Sequence, residues 1–109
     1  MSEAFSVIIA DAARQDLLHL RAYLVSTAGV TVADKVLERL MLKIGSLSEF
    51  PERGPVPDEL RELHVKQYRQ STLSPYRIVF KIEAERVTVL VVADGRRDFE
   101  KLLRNRLLR

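Results

Sequence analysis

Five cations stand in the last third of this 109-residue chain where they could hold an anion: Arg77, Arg96, Arg97, Lys101 and Arg104. Arg96 and Arg97 are adjacent and follow a turn glycine in the closing stretch "VVADGRRDFEKLLRNRLLR". Neighbouring guanidinium groups repel, and neither loses its proton at neutral pH. Such a pair sits in water, or opposite an acid such as Asp94, or it awaits an anionic partner. Guanidinium groups grip phosphate and carboxylate through a bidentate fork. They also stabilise charge that develops on a phosphoryl group in a transition state.

Other chemistry finds little to work with. His19 and His64 fall in different elements, with no acid at relay or metal-ligand spacing. His64, Lys66 and Tyr68 recur at period two and are read as one face of a strand. Ser71, Thr72 and Ser74 precede Pro75 as turn residues, with no activating base in view. No glycine-rich phosphate loop and no paired-carboxylate motif occurs. The chain has no cysteine, so thiolate chemistry, disulfides and Cys-containing zinc sites are excluded. No metal and no cofactor is expected.

These cations need elements to position them. "FSVIIA" (Phe5–Ala10) is a short apolar run suited to a buried strand. Ala13, Leu17, Leu20 and Leu24 then mark one face of a helix over residues 11–27 that Asp11 could cap. A second helix over 31–50, with Thr31 as its cap and Gly29 between the two, repeats the pattern at Ala33, Leu37, Leu40, Ile44 and Leu47. It stops at Phe50-Pro51, because proline drives the preceding residue out of the helical region. "PERGPVPDE" holds three of the four prolines and reads as an ordered loop. Strands are expected at 62–70, 76–83 and 86–93, and the "EAER" link permits only an antiparallel hairpin between the last two.

In "YRIVFKI" the residues Tyr76, Ile78, Phe80 and Ile82 alternate with Arg77, Val79 and Lys81. The first set is expected to face the helices, which leaves Arg77 and Lys81 on an open face. "VTVLVV" is apolar on both sides and reads as the central strand. Ile78, Phe80, Val89 and Val91 are expected in the core. A short C-terminal helix carries Phe99, Leu102, Leu103 and Leu107 on its apolar stripe, with Arg97, Lys101 and Arg104 on another face. The fold class is thus α+β: an N-terminal strand, an antiparallel helical hairpin on a small, mainly antiparallel sheet, and a short C-terminal helix, in a single domain over 1–109. No apolar run approaches the ~18 residues that span a bilayer, and residues 1–5 lack the form of a signal peptide. A cytoplasmic protein with no membrane partner is expected.

Charge is unevenly spread. Residues 1–60 carry six Lys/Arg against nine Asp/Glu, and residues 61–109 carry twelve against six, for +3 in all. The basic half favours an anionic partner, either nucleic acid or an acidic protein surface.

The order of strand, helical hairpin, "FPERGPVPDEL", "YRIVFKI", "VTVLVVADGRRD" and leucine-rich tail resembles the RelE/ParE toxin superfamily of bacterial type II toxin–antitoxin systems, over nearly the whole chain. The resemblance implies one of two activities. RelE-like members cut messenger RNA on the ribosome, holding the phosphate with lysines and arginines while a C-terminal tyrosine or histidine assists in several of them. ParE-like members inhibit DNA gyrase and lack that nuclease set. Arg77 matches the arginine of the tyrosine–arginine strand motif, and Arg97 matches the arginine after the last strand. A nuclease would rely on Arg77, Arg97 and Lys66. Yet no tyrosine follows Tyr76 and no histidine follows His64, and the positions that would hold the proton-transfer group read Lys101-Leu102-Leu103-Arg104. Proton transfer contributes about 10²–10⁴-fold in such cleavage, and arginine cannot supply it.

The resemblance therefore implies a ParE-like toxin that inhibits gyrase. Its target would be held by Arg77, Arg96, Arg97, Lys101 and Arg104. A cognate ParD-like antitoxin would meet Lys81, Arg69, Leu103 and Leu107 in a hetero-oligomer. Ribosome-dependent mRNA cleavage is the alternative, and a module that only binds antitoxin is a third reading. An acidic antitoxin segment would fold on binding, with apolar anchors in grooves beside the hairpin helices and carboxylates on the basic half. That complex is expected to weaken as salt is added, because exposed charges are screened beyond ~10 Å at 0.1 M; titration at low and high ionic strength checks it.

Overall fold

The computed structural model describes residues 4–107. Strand β1 (Ser6–Ile9) leads into helices α1 (Asp11–Ala28) and α2 (Val30–Gly45). Three short 3-10 segments follow, at Ser46–Ser48, Pro51–Arg53 and Asp58–Leu63. Strands β2 (Tyr68–Leu73), β3 (Tyr76–Glu83) and β4 (Arg86–Asp94) and helix α3 (Phe99–Leu107) complete the order. The strands form one sheet in the order β1-β4-β3-β2, with β1 parallel to β4 and the other pairs antiparallel. This is the α+β architecture expected, and β4 is central, as its unbroken apolar run required. Among the described residues no helix is long and apolar enough to cross a membrane.

Gly29 alone separates the two helices. Its φ of 94° lies where side-chain-bearing residues are strained, so the reversal from α1 into α2 rests on glycine. Neither Asp11 nor Thr31 caps a helix; Ala10 and Gly29 hold the cap positions without a side-chain hydrogen bond. Helix α2 ends at Gly45 instead of running to residue 50. The chain continues through the 3-10 turn at Ser46–Ser48, and Phe50, ahead of Pro51, takes the left-handed conformation at φ 53°.

The hairpin covers one sheet face. Ala13, Leu17, Leu40, Ile44 and Leu47 pack there on Ile78, Phe80, Val87, Val89 and Val92, with Tyr76 and Ile82 at the margin. The expected inward set of β3 is therefore the observed one. The opposite face is not open, however. Leu60 from the segment Asp58–Leu63 and Phe99 and Leu103 from α3 pack over Val79, Val91 and Ala93 as a second core.

A register shift opposite Val79/Phe80 pairs Val79 with Val91 and Phe80 with Val89. The extra residue, Leu90, reverses the alternation, as a bulge does. Val89 and Val91 are both fully buried, but on opposite faces.

The strand expected over 62–70 begins only at Tyr68. Pro57-Asp58 starts a 3-10 turn that carries Leu60 into the second core, and His64 ends it at φ 54°. His64, Lys66 and Tyr68 thus share no strand face, while Ser71 and Thr72 lie in β2 and the turn falls at Ser74-Pro75. The proline loop is packed against β2. The Gln70 N–H donates to the Pro55 carbonyl at 2.9 Å. A Cβ on Gly54 would meet the Gln70 carbonyl oxygen at 2.5 Å, so only glycine fits there.

Beyond Ile9, β4 outruns β1 and exposes backbone groups on that edge. Asp16 and Arg106 satisfy them. The Val92 N–H donates to Asp16 Oδ2 at 3.0 Å, and Arg106 Nη1 donates to the Leu90 carbonyl at 2.6 Å. The two side chains join through a bidentate pair at 3.0 Å per bond, each less than one-fifth exposed. Helix α1 on one face is thereby tied to α3 on the other. Arg106→Ala is expected to cost about 2–4 kcal/mol, because it strands Asp16 and the Leu90 carbonyl together; denaturant unfolding of the two proteins measures it.

Candidate functional site

The cations singled out in the sequence divide into three groups. Arg77 does not present a free guanidinium on an open face. Its Nη1 and Nη2 donate to the two Glu59 carboxylate oxygens at 2.9 and 2.8 Å. Its Nε and Nη2 donate to Gln70 Oε1 at 3.0 and 2.6 Å. The guanidinium also stacks on Phe99, 4.0 Å from the ring centre, and the side chain is 15% exposed. A carboxylate and an amide take four of its five N–H donors, and an aromatic face covers the guanidinium plane. Hydrogen bonding from Arg77 holds the Glu59 carboxyl below its usual value of 4.5, against an opposing push from burial.

Other residues are held locally too. Arg69 donates to the carbonyls of Glu52, Gly54 and Lys66 and fixes the proline loop to the start of β2. Lys81 pairs with Glu83 at 3.4 Å and lies 5.9 Å from the centre of the Tyr68 ring. Leu103, expected at an antitoxin surface, is 1% exposed within the second core. Leu107, by contrast, lines a groove of about 760 Å³ between Asp58–Leu63 and α3, beside Leu63, Val65 and Tyr68.

The third group is outward. Lys101 is exposed on α3, whose first turn is capped by Asp98 through the Lys101 N–H. Arg104 pairs with Glu100 one turn earlier at 3.1 Å. Lys66 is exposed in the turn before β2.

Arg96 and Arg97 occupy the turn between β4 and α3, and of the two it is Arg96 that takes Asp94, the acid weighed for the pair. Arg96 donates from Nη2 to Asp94 Oδ2 at 2.6 Å and from Nε to Oδ1 at 3.0 Å. Its backbone N–H adds a third bond to Oδ1 at 2.9 Å. These bonds hold the Asp94 carboxyl at about 2, well below its usual 3.8. Arg97 donates only its backbone N–H, to the Asp94 carbonyl at 3.1 Å, and has no ion pair among the described residues.

Both arginines border a cleft of about 560 Å³ between α1 and the ends of β3 and β4, which His19, Leu20, Tyr23 and Tyr76 also line. Burial pushes the Tyr76 phenol up, with the Asp94 charge adding to it. Sequence reasoning passed over Tyr23, Glu59 and Asp16. Asp16 alone left a trace, as a carboxylate three residues after Ala13 and four before Leu20 on the buried stripe of α1.

A model of the family described as the ParE toxin of the type II toxin–antitoxin system parDE matches residues 7–99. Among solved structures, the chain is similar to one from the chromosomal ParDE toxin–antitoxin system of P. aeruginosa, with a TM-score of 0.71 at 20% identity, over 85% of this chain and 98% of that one. It is also similar to one from the toxin–antitoxin complex RelBE2 of Mycobacterium tuberculosis, with a TM-score of 0.60 at 21% identity, over 86% and 94%. No curated protein matches it.

Two acids, Glu59 and Asp94, make stability depend on pH in the acid range. Both are depressed in the folded state, so what each contributes is complete above its unfolded value and is lost as pH falls through the folded one. Glu59 loses its contribution below its ordinary 4.5 and Asp94 between 3.8 and about 2. Carboxyl NMR should find Asp94 titrating near 2, and Arg96→Ala should return it towards 3.8. Glu59→Ala is expected to cost about 2–3 kcal/mol at pH 7, because Arg77 stays largely buried without its acid; that loss should shrink as pH falls below 4 (roughly, the carboxylate range).

Proposed function

The chain belongs to the ParE toxin family of type II toxin–antitoxin systems, and from that premise we propose that it arrests growth by binding DNA gyrase, restrained by a ParD-like antitoxin. One observation carries this choice over mRNA cleavage: the state of Arg77. A cleaving enzyme needs an accessible cation for the phosphate and a group that moves a proton. Arg77 is already engaged by Glu59, Gln70 and Phe99. The α3 positions that would hold the proton-transfer group contain Lys101, Leu102, Leu103 and Arg104, of which Leu103 is core. What remains outward is suited to binding. Among the described residues Arg97 has no ion pair, and Arg96, Lys101 and Arg104 are solvent-exposed.

The antitoxin has a separate surface in this reading. Its apolar anchors would enter the groove between Asp58–Leu63 and α3, where Leu63 is 62% exposed and Leu107 and Tyr68 form the walls. Lys81, partly exposed on β3, would meet its carboxylates. Arg69 would act indirectly, through the loop it holds.

Removing the Arg97 guanidinium deletes a charge-assisted contact worth about 1.5–3 kcal/mol. Arg97→Ala is thus expected to raise the concentration that inhibits gyrase supercoiling roughly ten- to a hundred-fold, with the melting temperature nearly unchanged. Arg97→Lys should recover only part, since a point charge cannot reproduce the planar fork. Wild-type protein should give no ribosome-dependent mRNA cleavage. Cleavage abolished by Arg77 or Arg97 substitution would replace this reading with the nuclease.

A further inference from the structure

The cleft between α1 and the ends of β3 and β4 has a composition that the basic patch alone does not explain. Two tyrosines and two arginines meet there. Tyr23 is 63% exposed, an unusual position for a large aromatic ring on a helix that buries its other face. Its turn of α1 is well fixed, because the Tyr23 carbonyl accepts from both Ser26 Oγ at 2.8 Å and Thr27 Oγ1 at 2.9 Å. Tyr76 stands on β3 across from Asp94 in the β4 register. The ring-bearing walls are thus parts of the scaffold and not of mobile loops.

The charges decide what such a cleft can hold. Arg96 and Arg97 line it together with Asp16 and Asp94, so its net charge is small. A groove for a nucleic-acid backbone is strongly net positive, since each phosphate it neutralises needs its own cation. This cleft is not. Asp94 is bound to Arg96 and Asp16 to Arg106. Arg97 is the one cation of the lining without an acid among the described residues. A single free guanidinium beside exposed tyrosine surface matches the centre of a protein–protein interface, where Tyr and Arg are enriched and flanking contacts exclude water.

We infer that this cleft is the anchor point for the protein target, taking a segment that presents one carboxylate to Arg97 and an apolar side chain to Tyr23, Leu20 and Tyr76. The inference rests on the reading of the chain as a toxin that acts by binding a protein, and it moves the grip from the charged surface of α3 to the hairpin side of the sheet.

Tyr23→Ala is the discriminating substitution, because it alters no charge and removes an exposed ring. Full-length wild type, Tyr23→Ala, Tyr23→Phe, Arg97→Glu and Leu42→Ala are compared for growth arrest on induction, supercoiling inhibition and melting temperature. Leu42 is 69% exposed on α2, outside the cleft. The expected result is at least a ten-fold loss of potency for Tyr23→Ala and Arg97→Glu at unchanged melting temperature, with Tyr23→Phe retaining most activity and Leu42→Ala behaving as wild type.

Undiminished growth arrest by Tyr23→Ala and Arg97→Glu overturns the inference. If these variants also escape neutralisation by a co-expressed ParD-like antitoxin, the cleft belongs to the antitoxin. Wild-type binding to a labelled DNA oligonucleotide that Arg97→Glu abolishes would assign the cleft to phosphate. A wild-type dimer that Tyr23→Ala converts to monomer would assign it to a second copy. Each of these overturns the inference as well. Growth arrest without supercoiling inhibition in the wild type refutes gyrase as the target, and the cleft is then judged on growth arrest alone.

Discussion

The fold turns on a strand that is longer than its neighbour. β4 carries the central pairing of the sheet, but β1 covers only its first half before the chain leaves for α1. Backbone groups beyond that point need partners, because a buried and unpaired N–H or carbonyl costs about as much as a lost hydrogen bond. Asp16 and Arg106 supply them and neutralise each other in doing so. The pair is therefore more than an ion pair between distant residues. It closes an edge, and it fixes α3 relative to α1 across that edge. The Leu90 bulge sits where this closure begins and directs Val91 and Ala93 to one face and Val92 to the other.

That closure produces two cores instead of one. With α3 and the segment Asp58–Leu63 drawn over the second face, Arg77 is enclosed where the strand alternation had pointed it to solvent. A largely buried guanidinium is tolerable only when paired and hydrogen-bonded, and Glu59, Gln70 and Phe99 meet that condition together. The arginine that the sequence resemblance matched to a phosphate-binding position is part of the packing. The exposed cations lie at the turn after β4 and along α3.

The same arrangement separates two surfaces. One groove lies between α3 and Asp58–Leu63, and one cleft lies between α1 and the ends of β3 and β4. They sit on opposite sides of the sheet, joined through the Asp94–Arg97 turn and α3. In the proposed reading the groove holds the antitoxin and the cleft the target, so that binding at one need not compete atom for atom with the other.

Local signals determined much of this molecule. The apolar stripes of α1 and α2, the inward set of β3 and the unbroken apolar run of β4 each reflect a pattern written in neighbouring residues, and these elements formed where read, although α2 stops at Gly45 and not at residue 50. The position of the Arg96–Arg97 turn followed from Gly95 and the end of β4. What the tertiary structure decided were contacts between residues with no local relation. Asp16 and Arg106 are 90 positions apart and Glu59 and Arg77 are 18 apart. No spacing rule links them, because their proximity follows from how helices and loop are laid on the sheet. The same holds for the bulge, which split Val89 from Val91, and for Leu60, whose burial on the second face goes with a 3-10 turn over 58–63 that takes in the first two residues of the strand expected over 62–70. Periodicity reports which residues share a face; only packing determines what covers that face, and here the cover decided which arginines remain free to bind.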